Sequence, residues 1–470
     1  MQTELSGGFP RNLSFLLRKL DGSIFKQKIV INGDKSEYKP NERVMVNFPM
    51  GRIIDSRSVV ATAKCKAGTG NHFPRGGLNS LIENLQITAN SRVIQSTQNY
   101  NYIWNTLADV SGYFSPEQEG KRLYENFDPS LAHTNETGVA AVAITNNAVV
   151  ITGNEEKFFC INSWLGFLSS SASCFNLNDI GQLQMILTLA PNTAQWTGSS
   201  AAGATTPAAT DYTISEFCLS MDTITFSNSL YHDLVKAQLE GNGLRIAYND
   251  YLISTGRLET KSDTNFTHVA QFSTNSLDAV MATFRHENYN TIGPLLLADA
   301  IYSSTLTTIN GSTKIYPKVI ADPSANEDTH GGFNNSVYFQ RCGGGIKNSS
   351  WYINSQPFTV NSTPIQIYNN TLQALDYANL DIASGGFHRG ALTTGVYNKY
   401  YFVDILSLEN LSGDNNYWVS GYGANSGIHQ IQYNFGFSAA SVETKVYPVI
   451  IGKVSKIMNI KIGRNIDIEE

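Results

Sequence analysis

Charge is scarce in this chain: 15% of its 470 residues are Asp, Glu, Lys or Arg, against about 25% in an ordinary soluble protein. That excludes a coiled coil, which needs dense Glu, Lys and Leu, and leaves the surface to asparagine, serine and threonine. Cysteine is also sparse. Cys65, Cys160, Cys174, Cys218 and Cys342 are odd in number and far apart, with no C-x-x-C pair. A disulfide framework and a paired-cysteine zinc site are thereby excluded. No apolar run reaches the ~18 residues of a bilayer crossing; the longest candidate, residues 292–302, is broken by Pro294 and Asp299. The opening Met1-Gln-Thr-Glu-Leu-Ser-Gly-Gly lacks a basic start followed by an apolar stretch, so the expectation is a protein without a secretory signal.

Catalytic and metal motifs are missing as well. The eight histidines include no H-E-x-x-H or H-x-H, and the neighbours His232-Asp233 and His286-Glu287 read as ordinary surface or core residues, since adjacent side chains seldom face one another. Cys342-Gly-Gly-Gly-Ile-Lys and Gly421-Tyr-Gly-Ala-Asn-Ser-Gly lack the spacing of a phosphate cradle and read as turns. The expectation is no catalytic residue, no cofactor and no metal.

What the chain has is aromatic and alternating. Its 23 Tyr, 23 Phe and 5 Trp can fill large cores, and apolar residues recur at period two. Val59, Ala61, Ala63 and Cys65 share one side of a run. Leu183, Met185, Leu187 and Leu189 do the same, as do Ile431, Tyr433, Phe435 and Phe437. Such half-buried strands belong to sandwiches with one wet face. From Phe217 to Phe226 the inward parity slips, which predicts a β-bulge near Asp222. Helical signals are few: a capping box at Ser115-Pro-Glu-Gln, and Ser229 to Glu240, stopped by Gly241. Long polar loops cover 125–145, 193–213 and 303–350, lengths that usually serve contact or function.

The two halves echo one another. Phe158-Phe-Cys-Ile and then Leu183-Gln-Met-Ile-Leu-Thr-Leu are matched by Tyr401-Phe-Val-Asp-Ile and then Ile431-Gln-Tyr-Asn-Phe-Gly-Phe. Leu85-Gln-Ile before Asn105-Thr-Leu is matched by Trp351-Tyr-Ile before Asn370-Thr-Leu. The shared order suggests a duplicated sandwich. We therefore expect an all-β chain, with an arm over 1–28, one sandwich over 29–228, a linker helix over 229–242 and a second sandwich over 243–470. In the arm, Leu13, Leu16, Leu17 and Leu20 fall at helical spacing beside Arg18 and Lys19. Arg11, Arg18 and Lys19 are the candidate interaction residues, because both chain ends are basic around an acidic body.

Three stretches carry a resemblance. They are Phe73-Pro-Arg-Gly-Gly-Leu-Asn-Ser-Leu-Ile-Glu-Asn-Leu running into Tyr100-Asn-Tyr-Ile-Trp-Asn-Thr-Leu; Phe158-Phe-Cys-Ile-Asn-Ser-Trp-Leu-Gly-Phe-Leu through Leu177-Asn-Asp-Ile-Gly-Gln-Leu; and Ile214-Ser-Glu-Phe-Cys-Leu-Ser-Met-Asp. The pattern resembles the double jelly-roll major capsid proteins of tailless icosahedral double-stranded DNA viruses, on the virophage and Polinton-like virus branch. It covers the first half well and the second through its echo. The glycine-rich opening of large algal-virus capsid proteins is absent. The resemblance implies two jelly-roll β-sandwiches side by side with few short helices. It also implies a homotrimeric, pseudo-hexagonal capsomer in the virion, with penton and minor capsid proteins as partners and no sequence-specific nucleic-acid binding. Leu5-Ser-Gly-Gly looks like the hydrophobic-x-Gly-Gly site cut by this lineage's maturation protease, but small residues gather in exposed arms anyway, and we read it as composition. The alternative weighed beside the capsid is a carbohydrate-binding or glycoside-hydrolysing β-sandwich, suggested by abundant Tyr, Trp and Asn.

Overall fold

The computed structural model describes residues 24–111, 156–197, 211–290, 307–309, 312–314, 336–377, 380, 401–409 and 421–469. Within these spans 69–70, 75, 171, 173, 227–229, 242, 263 and 424–426 are left out, as are 439–444. Among the described residues, no helix is long and apolar enough to cross a membrane.

Strands form where the alternation predicts them. In the first half they are β1 (Ile24–Asn32), β2 (Arg43–Asn47), β3 (Val60–Lys66), β4 (Ile82–Ala89) and β5 (Arg92–Gln98). Helix α1 (Tyr100–Val110) follows, then β6 (Glu156–Ile161), β7 (Leu183–Leu189) and β8 (Thr213–Phe226). Pairing is antiparallel throughout. One sheet runs β1-β8-β3-β6 and is widened by short strands to seven; the other runs β2-β7-β4-β5. Each long strand turns its alternate apolar residues inward, so Ala61, Ala63, Cys65, Leu85, Ile87, Met185 and Leu187 meet in one buried core. These two sheets, linked in this order, are a jelly roll.

Helix α2 (Leu230–Glu240) follows β8. It ends where the Gly241 amide bonds back to the Ala237 carbonyl at 3.1 Å. The order then repeats: β9 (Leu244–Thr255), β10 (Asn265–Ser273), β11 (Ser276–His286), β12 (Ile346–Ile353) and β13 (Gln356–Ser362). Helix α3 (Pro364–Tyr377) precedes β14 (Asp404–Ser407), β15 (Ile428–Phe437) and β16 (Lys445–Lys461). The sheets are β9-β16-β11-β14 and β10-β15-β12-β13, so each strand of the second half matches the one eight places earlier. The protein is a double jelly roll.

The duplication reaches single atoms. The β4–β5 hairpin turns on Asn90-Ser91 and the β12–β13 hairpin on Asn354-Ser355, all four with positive φ, as a two-residue primed turn requires. Each asparagine then clamps a glutamine at the start of, or just before, a neighbouring strand. Asn90 N–H donates to the Gln182 carbonyl at 2.9 Å, and Gln182 N–H donates to Asn90 Oδ1 at 3.0 Å. Asn354 and Gln430 repeat both bonds at 2.8 and 2.9 Å.

Several expectations need correction. The bulge in β8 lies between Ser215 and Cys218, with Glu216 at φ 51°, not near Asp222. Pairing with β1 runs without a shift from Cys218 to Phe226. What changes near Asp222 is the other neighbour: β3 ends its pairing at Ser220, and the Asp222 amide donates instead to Ser58 Oγ at 2.8 Å. Residues 24–28, assigned from sequence to the arm, belong to β1 and pair along β8. Helices α1 and α3 carry no signal recognised in the sequence. The capping box at Ser115 and the loop 125–145 lie outside the described residues, as does most of the other two long loops. Both glycine-rich pieces serve close approach: a Cβ on Gly343 would lie 2.2 Å from Phe402, and one on Gly421 2.1 Å from the Leu277 carbonyl oxygen.

The second core holds the buried carboxyl of Asp404. Asp404 accepts from Ser349 Oγ at 2.7 Å and Tyr433 OH at 2.9 Å, yet its burial pushes its pKa up to about 6. The unfolded chain ionises this group near 4. The folded state therefore holds the extra proton, and stability falls as pH rises from about 4 through 6. Asp404→Asn, whose Oδ1 accepts the same two bonds, should stabilise by about 2 kcal/mol at pH 8 and have little effect at pH 4. Thermal melts at the two pH values check this, and an equal gain at both would contradict it.

Candidate assembly interface

The seam between the two jelly rolls is built from polar side chains on otherwise apolar elements. On β11, Phe284 points into the second core while Thr283 and Arg285 point to the first half, as strand alternation requires. Helix α1 lies over them. Tyr102 OH and Thr283 Oγ1 are 2.8 Å apart. The Arg285 guanidinium sits 4.2, 4.7 and 4.8 Å from the ring centres of Tyr102, Tyr289 and Tyr338, and its Nη1 donates to Asn99 Oδ1 at 3.2 Å. An arginine held among three aromatic faces is a desolvated cation–π site. Tyr338 OH donates to Glu83 Oε2 at 2.6 Å.

Beside this cage, Arg341 Nη2 pairs with Asp109 Oδ2, both side chains fully buried. Further along, Thr97 Oγ1 donates to Asp250 Oδ1 at 2.8 Å, while Lys456 Nζ lies 3.2 Å from Asp250 Oδ2. Tyr248 OH caps the Ile94 carbonyl. At the rim Arg92 meets Asp467 at 3.2 Å. As a result β11 is buried on both faces, whereas its counterpart β3 shows the simple alternation of a strand with one open face. The seam thus covers the outer face of the second jelly roll with the α1 side of the first.

Among the described residues, the corresponding surfaces at the two far sides have no such cover. The outer face of the β1-β8-β3-β6 sheet exposes Val30 and Phe158 beside Lys26, Lys28 and Lys64. There Lys26 bridges Asp55 and Asp222 at 2.8 and 3.0 Å, which raises its pKa through those two bonds. On the other side, β13 and α3 expose Phe358, Val360 and Ile365.

The sequence-predicted interaction residues Arg11, Arg18 and Lys19 lie outside the described residues, so none is placed on these surfaces. The seam residues were not singled out from sequence: Asp109 and Arg341 stand far apart in the chain, and nothing local marks the pair. Among the described residues, no three His, Cys, Asp or Glu side chains come together as a metal site. Burial pushes the Cys174 thiol up to about 12 and raises that of Cys65 as well, which leaves both unreactive.

No protein-family profile matches the chain, and no curated protein matches it by sequence. Solved structures do. VP54 of PBCV-1, fitted into a cryo-EM reconstruction of the virophage Sputnik, superimposes with a TM-score of 0.60 at 12% identity, covering 95% of this chain and 97% of that one. A chain of the Sputnik virophage gives 0.56 at 10%, covering 95% and 88%. The Faustovirus major capsid protein gives 0.50 at 9%, covering 93% and 91%. These likenesses span both jelly rolls and support the same fold.

Proposed function

We propose that this chain is a major capsid protein, three copies of which form a pseudo-hexagonal capsomer in the icosahedral shell of a double-stranded DNA virus. The observation that carries this is the tandem of two jelly rolls matched end to end by viral shell structures. Two sandwiches per chain give three chains six similar sides. The buried ion pair and the arginine cage fix the angle between the two jelly rolls, as a tiling block requires. Low surface charge suits dense self-association, because strongly like-charged blocks repel. The work done is assembly, without turnover. Penton and minor capsid proteins are the further partners in this reading, the virion is its location, and the basic arm with Arg11, Arg18 and Lys19 faces the interior. Nothing among the described residues favours the carbohydrate reading.

The purified chain should run as a trimer of the 51.6 kDa subunit, resistant to dilution, since obligate β assemblies bury more than ~2,000 Å². Light scattering at micromolar concentration checks this, and a stable monomer would refute it. Deleting residues 1–20 should leave the trimers intact and reduce shell formation seen by electron microscopy. Normal shells from the truncated chain would remove the arm from the mechanism.

A further inference from the structure

We propose that the second jelly roll staples itself: the Lys453 amine condenses with the Glu409 carboxyl to form an amide bond, with Asp278 as the proton relay. The bond lies within one chain and is independent of how copies associate.

The three side chains come from segments that meet in one sheet. In the order β9-β16-β11-β14, β16 carries Lys453, β11 carries Asp278, and Glu409 follows the end of β14 by two residues. Lys453 Nζ lies 3.5 Å from Glu409 Oε1, with the two side chains 3% and 18% exposed. Asp278 is buried, and a β-bulge brings it in. β11 and β16 pair Leu277 with Val454 and Ala279 with Lys453, so Asp278 is the extra residue. Such a bulge re-aims a side chain, and bulges gather beside reactive sites. Asp278 is then held by Ser455 Oγ at 2.6 Å and Ser276 Oγ at 3.2 Å. Ser276 is itself fixed by the Gly421 amide at 3.0 Å. Ser455 and Lys453 stand two apart on β16 and share a face. Tyr251 is directly opposite Lys453 on β9 and is buried, so its ring excludes water beside the lysine stem.

Condensation needs a neutral amine, a neutral carboxyl and an acid beside them in a dry site. Burial raises the pKa of both Asp278 and Glu409 against the pull of Lys453, and the Asp278 charge raises Glu409 further. The pair therefore holds a proton more readily than two exposed carboxyls do. Lys453 passes one ammonium proton to the Glu409 carboxylate, which gives the amine and the acid. The Nζ lone pair forms the N–Cδ bond while the C=O π pair moves to oxygen. The protonated Asp278 carboxyl gives its proton to that oxygen and takes one from the nitrogen. It returns this proton to one hydroxyl, which leaves with its bonding pair as water. The C=O re-forms from the other hydroxyl, whose proton goes back to Asp278. One N–C bond has replaced one C–O bond, one water is released, and Asp278 ends as it began. Nothing is oxidised or reduced.

Placement supplies the rate, because groups held side by side act at effective concentrations on the order of 10⁵ M or more. The product is neutral, so the cost of keeping a lysine–glutamate ion pair out of water disappears. The amide ties β16 to the segment after β14, across the β11 strand that lies between them. It forms once per chain, without turnover.

The test is the mass of the denatured full-length chain. It should be lighter by one water than the sequence requires, and protease digestion should yield a branched peptide that tandem mass spectrometry reads as Lys453 joined to Glu409. Lys453→Met and Asp278→Asn should both show the full sequence mass. A wild type of full mass, or a water loss placed at any other position, overturns the bond. An Asp278→Asn chain that keeps its strand signal in circular dichroism and still forms the branched peptide overturns the relay. The wild-type mass decides by itself if a variant fails to fold.

Discussion

Arg341→Met should destabilise the protein by about 3–5 kcal/mol, because it strands the Asp109 carboxylate in the seam without its cation. The side chain is volume-matched, so little of the loss comes from a cavity. Both partners are wholly buried, so removing the cation leaves a desolvated carboxylate behind. Removing both should therefore be far milder: Asp109→Leu combined with Arg341→Met is expected within about 1 kcal/mol of the parent, as apolar replacement of a buried pair often is. The double-variant cycle in urea gives the coupling directly. The loss has a location as well as a size. The Arg341 side chain reaches across to Asp109 on α1 of the first jelly roll, so its loss loosens the joint between the jelly rolls before either core. Unfolding of the single variant should separate into two steps where the parent shows one. A single variant within 1 kcal/mol of wild type would mean that the charge is relieved by protonation or water.

Most of each sandwich was legible because a strand with one wet face writes its orientation at period two. The inward sets Val59 to Cys65, Leu183 to Leu189 and Ile431 to Phe437 are all buried as the alternation predicts. The echoes of Leu85-Gln-Ile with Trp351-Tyr-Ile and of Asn105-Thr-Leu with Asn370-Thr-Leu fall on β4 with β12 and on α1 with α3. Yet the helices themselves were not read. Every residue of α1 is buried, so no polar face marks a 3.6-residue period, and its Tyr, Ile, Trp and Thr favour strands in isolation. Tertiary cover on all sides removes the periodic signal. The same cover hides the seam: β11, buried on both faces, shows no alternation that would separate its core side from its interface side. A cation sitting among three tyrosines, two of them (Tyr102 and Tyr338) from distant segments, leaves no motif to find. The bulge was misplaced for a related reason, since the parity of β8 changes with its neighbour and not only with its own backbone.

Phe284 and Phe358 are the same residue type with expected effects of very different size. Phe284 stacks on Phe402 with ring centres 5.3 Å apart, and meets Phe435 and Phe437 at 4.9 and 5.1 Å. It is fully buried on β11, in a core where these three rings cannot all shift to fill its place. Phe284→Ala should therefore cost about 3–5 kcal/mol, the lost transfer energy plus the cavity left behind. Phe358 is partly open at the edge strand and touches Tyr422 edge-on at 5.4 Å. Phe358→Ala should change the stability of the isolated subunit by about 1 kcal/mol or less, near the worth of one aromatic contact. The loss at Phe284 belongs to the second jelly roll, but the seam transmits it. While Arg341 and Asp109 hold the halves together, Phe284→Ala should lower one common transition. In the Arg341→Met background it should lower only the step in which the second jelly roll unfolds, and leave the first where it was. Urea titrations followed by fluorescence on the four chains measure both outcomes. If Phe284→Ala shifts both steps equally once the ion pair is gone, the two jelly rolls are coupled by something other than Arg341 and Asp109.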